Sequence, residues 1–202
     1  EHIKSLNKTR DWPHSVVVNW GQVRSEDALT IADALKGICI LRQSSQSLDP
    51  QVLANIKRRN ISQEQWLEVR DFSRAQGLET FGELILMLPG ETFESYMQGL
   101  RFLFDMDLDC INTNQLQLLS GAHMNRAAER ERYGMKTKWR LLENAYGVYH
   151  GMSAVEGVEL VVATNSFSHE ECLLCRPLAW LIQVSWTMRL HDLLPRLLAG
   201  FG

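Results

Sequence analysis

The sequence predicts an α/β protein built on a mostly parallel sheet, with a helical C-terminal tail. Three observations lead there. Between Ser15 and Leu119, short apolar runs alternate with longer stretches of helical spacing, the pattern of strand–helix–strand crossovers. Polar residues gather at the carboxyl ends of successive runs: Asn19, then Ser44 and Gln46, then Asn114, Gln115 and Gln117. One carboxylate, Glu83, interrupts an otherwise apolar run, and burying it without a partner would cost several kcal/mol. An open doubly wound sheet and a (β/α) TIM-type barrel both fit the alternation. The polar strand ends favour the barrel, which builds active sites there, although strand ends also turn polar by meeting solvent.

The elements follow in order. Ser15 to Trp20 is β-branched and stops at Gly21, so it reads as a strand. Ser25 caps a helix through Lys36, with Glu26 and Asp27 in its first turn and Gly37 as terminator. Ile38 to Leu41 is a second strand. Asp49 caps, and Pro50 opens, a helix ending near Asn60. Ser62 with Gln65 forms a capping box for a helix that Gly77 stops. In the strand Phe81–Leu88, period two sets Leu84, Leu86 and Leu88 against Glu83, Ile85 and Met87. Thr92 caps a helix to Phe104 or Met106, and Cys110–Leu119 is a fourth strand. Two helical stretches are expected next, Ala122–Arg132 and Lys136–His150. A fifth strand, Val158–Ala163, precedes a helical tail from His169 to Leu198 broken at Pro177 and Pro195. This divides the chain into 1–150, the partial barrel, and 151–202, a strand with a helical extension.

Composition sets the outer bounds. The 202 residues are 45% apolar and 22% charged, which fits one globular domain. A formal charge of −3 excludes the broad basic surface of a nucleic-acid binder. No apolar run reaches the roughly 18 residues of a membrane span. Four cysteines are too few for a disulfide scaffold and read as reduced thiols in a cytoplasmic protein. The opening EHIKSLNKTRDW reads as the middle of a longer chain. In the tail, His169, Cys172 and Cys175 share a helix face that suits either a metal or a buried wall. Trp180, Leu181, Val184 and Met188 form an apolar stripe, as do Leu190, Leu193, Leu194 and Leu197. Both stripes read as core packing or a subunit interface.

Two segments carry a family resemblance. One is Gln46-Ser47-Leu48-Asp49-Pro50-Gln51-Val52-Leu53, continuing to Ile56-Lys57-Arg58-Arg59-Asn60. The other is Gly82-Glu83-Leu84-Ile85-Leu86-Met87-Leu88-Pro89-Gly90-Glu91-Thr92, with a looser match over Ile111–Gly121. Together, in this order, they resemble the radical S-adenosylmethionine (SAM) enzymes, closest to those with cobalamin-binding N-terminal domains. The resemblance implies a barrel that binds SAM, and a parent enzyme that is an Fe–S oxidoreductase or methyltransferase initiating chemistry with a 5′-deoxyadenosyl radical. It implies that Arg58 holds the SAM carboxylate, that Gln46 meets ribose or methionyl groups, and that Glu83 accepts from ribose hydroxyls. Asn19 stands where the family often has a Glu, and the Leu116 backbone where a strand meets adenine. Read without the resemblance, Arg58 belongs to a solvated Lys57-Arg58-Arg59 run, Gln46 to a turn, and Pro89–Thr92 to a turn with a helix cap.

One signature is missing. The family holds a [4Fe–4S] cluster with Cys-x-x-x-Cys-x-x-Cys after its first strand, and the chain has no such triplet. The resemblance thus implies that the chain is like the C-terminal two-thirds of the domain, lacking two strand–helix units, with SAM-contacting strand ends but no cluster ligands. Met87 also departs from the usual Gly. A non-catalytic binding or scaffold module, a degenerate barrel, is the alternative. A barrel cut open in this way leaves its first strand as an exposed edge, which invites self-association.

Overall fold

The computed structural model describes residues 2–19 and 25–190. Helix α1 (His2–Arg10) leads into strand β1 (Val16–Asn19), helix α2 (Ser25–Ala34) and strand β2 (Cys39–Gln46). Then come α3 (Pro50–Asn55), α4 (Gln63–Ala75), β3 (Phe81–Leu86), α5 (Phe93–Asp105) and β4 (Cys110–Gln115). A 3₁₀ turn (His123–Asn125) and α6 (Ala127–Arg132) precede β5 (Lys136–Tyr149), β6 (Met152–Ala163) and α7 (His169–Leu181), which continues as a π-helical turn, Ile182–Thr187.

The caps form where the side chains demand them. Asp49 accepts from the amides of Gln51 and Val52, and Ser62 with Gln65 and Thr92 with Ser95 close reciprocal boxes. Each satisfies N–H groups that the first helical turn leaves unpaired.

Strands β1 to β4 form one parallel sheet in consecutive order. Its two faces differ sharply. Val16, Val18, Leu84, Leu86 and Ile111 pack against helices in two apolar clusters. Ala32 of α2 and Leu35 just after it, Val69 of α4, and Leu100 and Leu103 of α5 supply the other side. Gly82 permits a close approach, since a Cβ there would meet Leu108 Cδ1 at 2.6 Å. The opposite face carries Val17, Asn19, Ser44, Glu83, Asn112 and Asn114, which are half-buried or exposed. Parallel sheets are normally covered on both sides, so this uncovered polar face is the feature that positions the site.

Several expectations are corrected. Lys136–His150 is a strand, not a helix: β5 pairs antiparallel with β6, which begins at Met152 rather than Val158. The turn is His150-Gly151, with φ of 51° and 81°, the left-handed pair of a two-residue hairpin. Ala122–Arg132 is a 3₁₀ turn and a short helix rather than one helix. The helix after Pro50 stops at Asn55, because Lys57 turns left-handed (φ 55°) and Arg58 N–H donates back to the Leu53 carbonyl. Pro177 does not break α7, being exposed in its interior. Trp180, Leu181 and Met188 are exposed, and the tail buries Cys172, Cys175 and Ile182 instead. Trp20, the Leu193–Leu197 part of the second stripe and Pro195 lie outside the described residues.

The hairpin base is tied down by Arg130, which pairs with Glu159, while Thr137 donates to the same carboxylate at 2.5 Å. Beyond it, Trp139, Leu141, Tyr146, Val148 and Val155 lie exposed on one face of the hairpin.

Candidate functional site

Two loops at the carboxyl ends of β2 and β3 build the site. Left-handed Lys57 turns Arg58 back across β2, where Nη2 donates to the Ser44 carbonyl at 2.8 Å. Asn60 pins the same segment by donating to the Ser47 carbonyl at 2.7 Å. Ser44 is in register with Glu83 of β3, and Glu83 accepts from Asn114 Nδ2 at 2.6 Å. Arg58 is half-buried between exposed Lys57 and Arg59, so it is not part of a solvated run. Burial lowers its guanidinium from its ordinary value, and the facing Glu83 charge opposes that shift.

Backbone strain gathers at the same ends. Gln46, the last residue of β2, has φ 61°, and Met87, just after β3, has φ 74°. Residues without glycine's freedom occupy this region only when their surroundings hold them there. Met87 departs from the strand alternation for this reason, and is buried alongside Leu88. Beneath, Asn55 Nδ2 donates to the Pro89 carbonyl at 2.9 Å, and a Cβ on Gly90 would meet that Nδ2 at 2.4 Å. Glu91 ties the layers together. Its Oε1 accepts from Ser95 Oγ at 2.5 Å, its carbonyl accepts from Ser166 Oγ at 2.8 Å, and Ser47 also bonds its carboxylate.

The five residues singled out in the sequence are thus placed as follows. Arg58 and Glu83 are brought to the same place through Ser44, which Arg58 bonds and Glu83 faces in register, and Asn114 bonds Glu83 from the other side. Gln46 ends β2 beside them, opposite Leu84. Asn19 shares the open face but sits on the edge strand at the level of Arg42, two residues short of Ser44 and so about 7 Å lower. Leu116 follows β4 with its backbone engaged, its N–H donating to the Leu86 carbonyl and its carbonyl accepting from Val161 N–H, each at 3.0 Å. Asn114 as the partner of Glu83, and the Ser44 carbonyl, emerge only from strand register.

Arg58 Nε is buried without a hydrogen-bond partner. A guanidinium with one arm committed and one orphaned suits a carboxylate. The cysteines do not suit a cluster. Cys39, Cys172 and Cys175 are buried, and no group of three His, Cys, Asp or Glu side chains among the described residues could hold a metal. Burial pushes the Cys175 thiol up to about 11 and raises that of Cys172. His169 bonds the Val162 carbonyl and lies 3.3 Å from Lys138 Nζ.

No protein-family model matches the chain. Curated proteins do. The chain is 30% identical over 132 residues to the cobalamin-dependent radical SAM methyltransferase TokK of Streptomyces tokunonensis, covering 62% of this chain and 19% of TokK. It is 30% identical over 146 residues to 2-(S-pantetheinyl)-carbapenam-3-carboxylate methyltransferase of Streptantibioticus cattleyicolor, covering 71% of this chain and 21% of that protein. The chain is a relative of the cobalamin-dependent radical SAM methyltransferases. It spans about a fifth of the length of the curated relatives it matches.

Among solved structures, coproporphyrinogen III oxidase (HemN) from Escherichia coli, a radical SAM enzyme, aligns with a TM-score of 0.47 at 20% identity, over 58% of this chain and 26% of HemN. The radical SAM methyltransferase TsrM from Kitasatospora setae, seen with tryptophan and a SAM analogue, aligns at 0.45 and 19% identity, over 57% of this chain and 23% of TsrM. TsrM has also been solved with cobalamin and a [4Fe–4S] cluster bound. Among the described residues, no helix of this radical SAM relative is long and apolar enough to cross a membrane.

Proposed function

We propose that this chain is the SAM-cradling part of a cobalamin-dependent radical SAM methyltransferase barrel, and that cluster-binding residues lie outside it. The observation that carries this reading is that Arg58, held on the Ser44 carbonyl, and Glu83, in register with Ser44, come within range of each other's charge at the carboxyl ends of neighbouring parallel strands. The consecutive strand order and one-sided helix packing suit a barrel wall, with the open face toward the lumen. In this reading Arg58 holds the SAM carboxylate through its uncommitted Nε. Glu83, oriented by Asn114, accepts from ribose hydroxyls. Gln46 and Asn19 extend the polar lining, and the Leu116 backbone stands where the strand would meet adenine. Bound SAM supplies the group or radical on which the reaction depends; this chain binds and orients it.

Methyl transfer is preferred to other oxidoreductase chemistry because both matched curated relatives are methyltransferases, and cobalamin enters through TokK. Four unpaired cysteines fit a cytoplasmic setting. The exposed edge at β1 supports self-association. The second reading is a non-catalytic barrel remnant.

Calorimetric titration of SAM into the protein made from the complete reading frame separates these readings. Arg58→Ala removes a charge-assisted pair of roughly 1.5–3 kcal/mol, so affinity falls at least about tenfold. Unchanged affinity, or a reading frame with no Cys-x-x-x-Cys-x-x-Cys upstream, overturns the enzyme assignment.

A further inference from the structure

We propose that the cleft between β4, β5 and α7 binds the oxyanion group, carboxylate or phosphate, of a small ligand. The cleft shares Asn114 with the Glu83 cluster, but the inference does not depend on SAM binding there. The cleft has a volume of about 200 Å³ and opens past the carboxyl ends of β3 and β4, where α/β sheets place their ligands. Arg140 of β5 and Arg176 of α7 both line it. They come from separate elements, and no Asp or Glu lines the cleft between them. Neither forms an ion pair among the described residues.

Two arginines lining one cleft with no carboxylate beside them leave their forked donors for an oxyanion, which a guanidinium binds through paired hydrogen bonds. Gln117 adds a carboxamide at the rim, and Leu86 and Leu160 give an apolar floor. The Tyr96 hydroxyl in the wall is buried beside Thr113 and closes no well-formed hydrogen bond. A polar ligand here supplies a partner that the fold does not.

The arginines reach the cleft through the fold itself. Arg140 pairs with Val158 across the hairpin, on the face opposite Trp139 and Leu141. Arg176 lies one residue past Cys175, which anchors α7 in the core. Neither arginine pairs with a carboxylate among the described residues, so both are free to serve a ligand.

The test is a titration of the 202-residue chain, followed by nitrogen-15 NMR of the arginine Nε–H groups. Inorganic phosphate and succinate are compared at constant ionic strength against chloride. The expected result is that Arg140 and Arg176 signals shift together and saturate with one dissociation constant. Arg140→Gln and Arg176→Gln each weaken it at least about tenfold with an unchanged circular dichroism spectrum. Saturation by phosphate alone assigns a phosphate-bearing ligand, by succinate alone a carboxylate, and by both the shared chemistry. Shifts that match chloride, fail to saturate, or survive both substitutions overturn the proposal.

Discussion

Glu91 is a carboxyl group at 1% exposure, and its surroundings decide how the protein responds to pH. Burial raises its pKa, hydrogen bonds from Ser95 and Ser47 pull it back, and the Asp49 charge adds to the rise. An acid whose folded value lies above its unfolded value favours folding at low pH. That contribution is complete below the ordinary glutamate range, about 4.5, and is lost as pH rises through the raised value. Glu91→Gln removes the dependence. The melting temperature of the unmodified chain, minus that of Glu91→Gln, should therefore fall as pH is raised from about 4 to 8. A flat or rising difference would show that the carboxylate is not held up by burial. At this scale Glu83 stood out in the sequence as a carboxylate among apolar strand neighbours, whereas Arg58, inside the Lys57-Arg58-Arg59 run, was singled out only through the family resemblance. Glu91 was not legible: in sequence Pro89-Gly90-Glu91-Thr92 is a turn followed by a cap, and nothing local says that the carboxylate folds inward.

The elements were legible wherever a side chain decides the backbone by itself. Asp49, Ser62 and Thr92 cap helices, and Gly37 takes φ 89° after α2. The β5–β6 hairpin escaped because of its bulge. Residues 142–145 stand opposite the single residue Glu156, so the strand contains an insertion that breaks period two. Trp139, Leu142 and Tyr146 then fall at i, i+3 and i+7 and imitate a helix. Once the bulge is taken out, Trp139, Leu141, Tyr146 and Val148 share a face. The turn offers a direct check. Gly151 has open space around its Cβ position, so Gly151→Ala costs only the left-handed backbone, about 1–2 kcal/mol. Amide exchange along the hairpin, at Gly147 and Val155 for instance, should speed up about fivefold or more. Unchanged protection would mean that the hairpin is held by its base at Arg130 and Glu159 rather than by its turn.

For the molecule as a whole, the consequential fact is a parallel sheet with helices on one side only. The sequence carried that as polar strand ends, but which of those ends converge depends on register, and register comes from the packing of Leu84, Leu86 and Ile111 against the helices. The edge strand β1 leaves Val17 44% exposed. Sedimentation velocity at high concentration should show reversible association, and Val17→Lys should shift it toward monomer, because a charge on an edge strand blocks pairing. A clean monomer before substitution would contradict this.

The two margins of the sheet are unequal. Along β4, the Thr187 hydroxyl accepts from Ile111 N–H at 3.1 Å and donates to the Ile111 carbonyl at 2.9 Å, while β6 occupies Leu116 and Leu118. The sheet can therefore grow in one direction only. A strand supplied in trans has a single berth, alongside Val16–Asn19, and split-protein complementation of this chain should succeed with segments designed for that side and fail with any designed for the other.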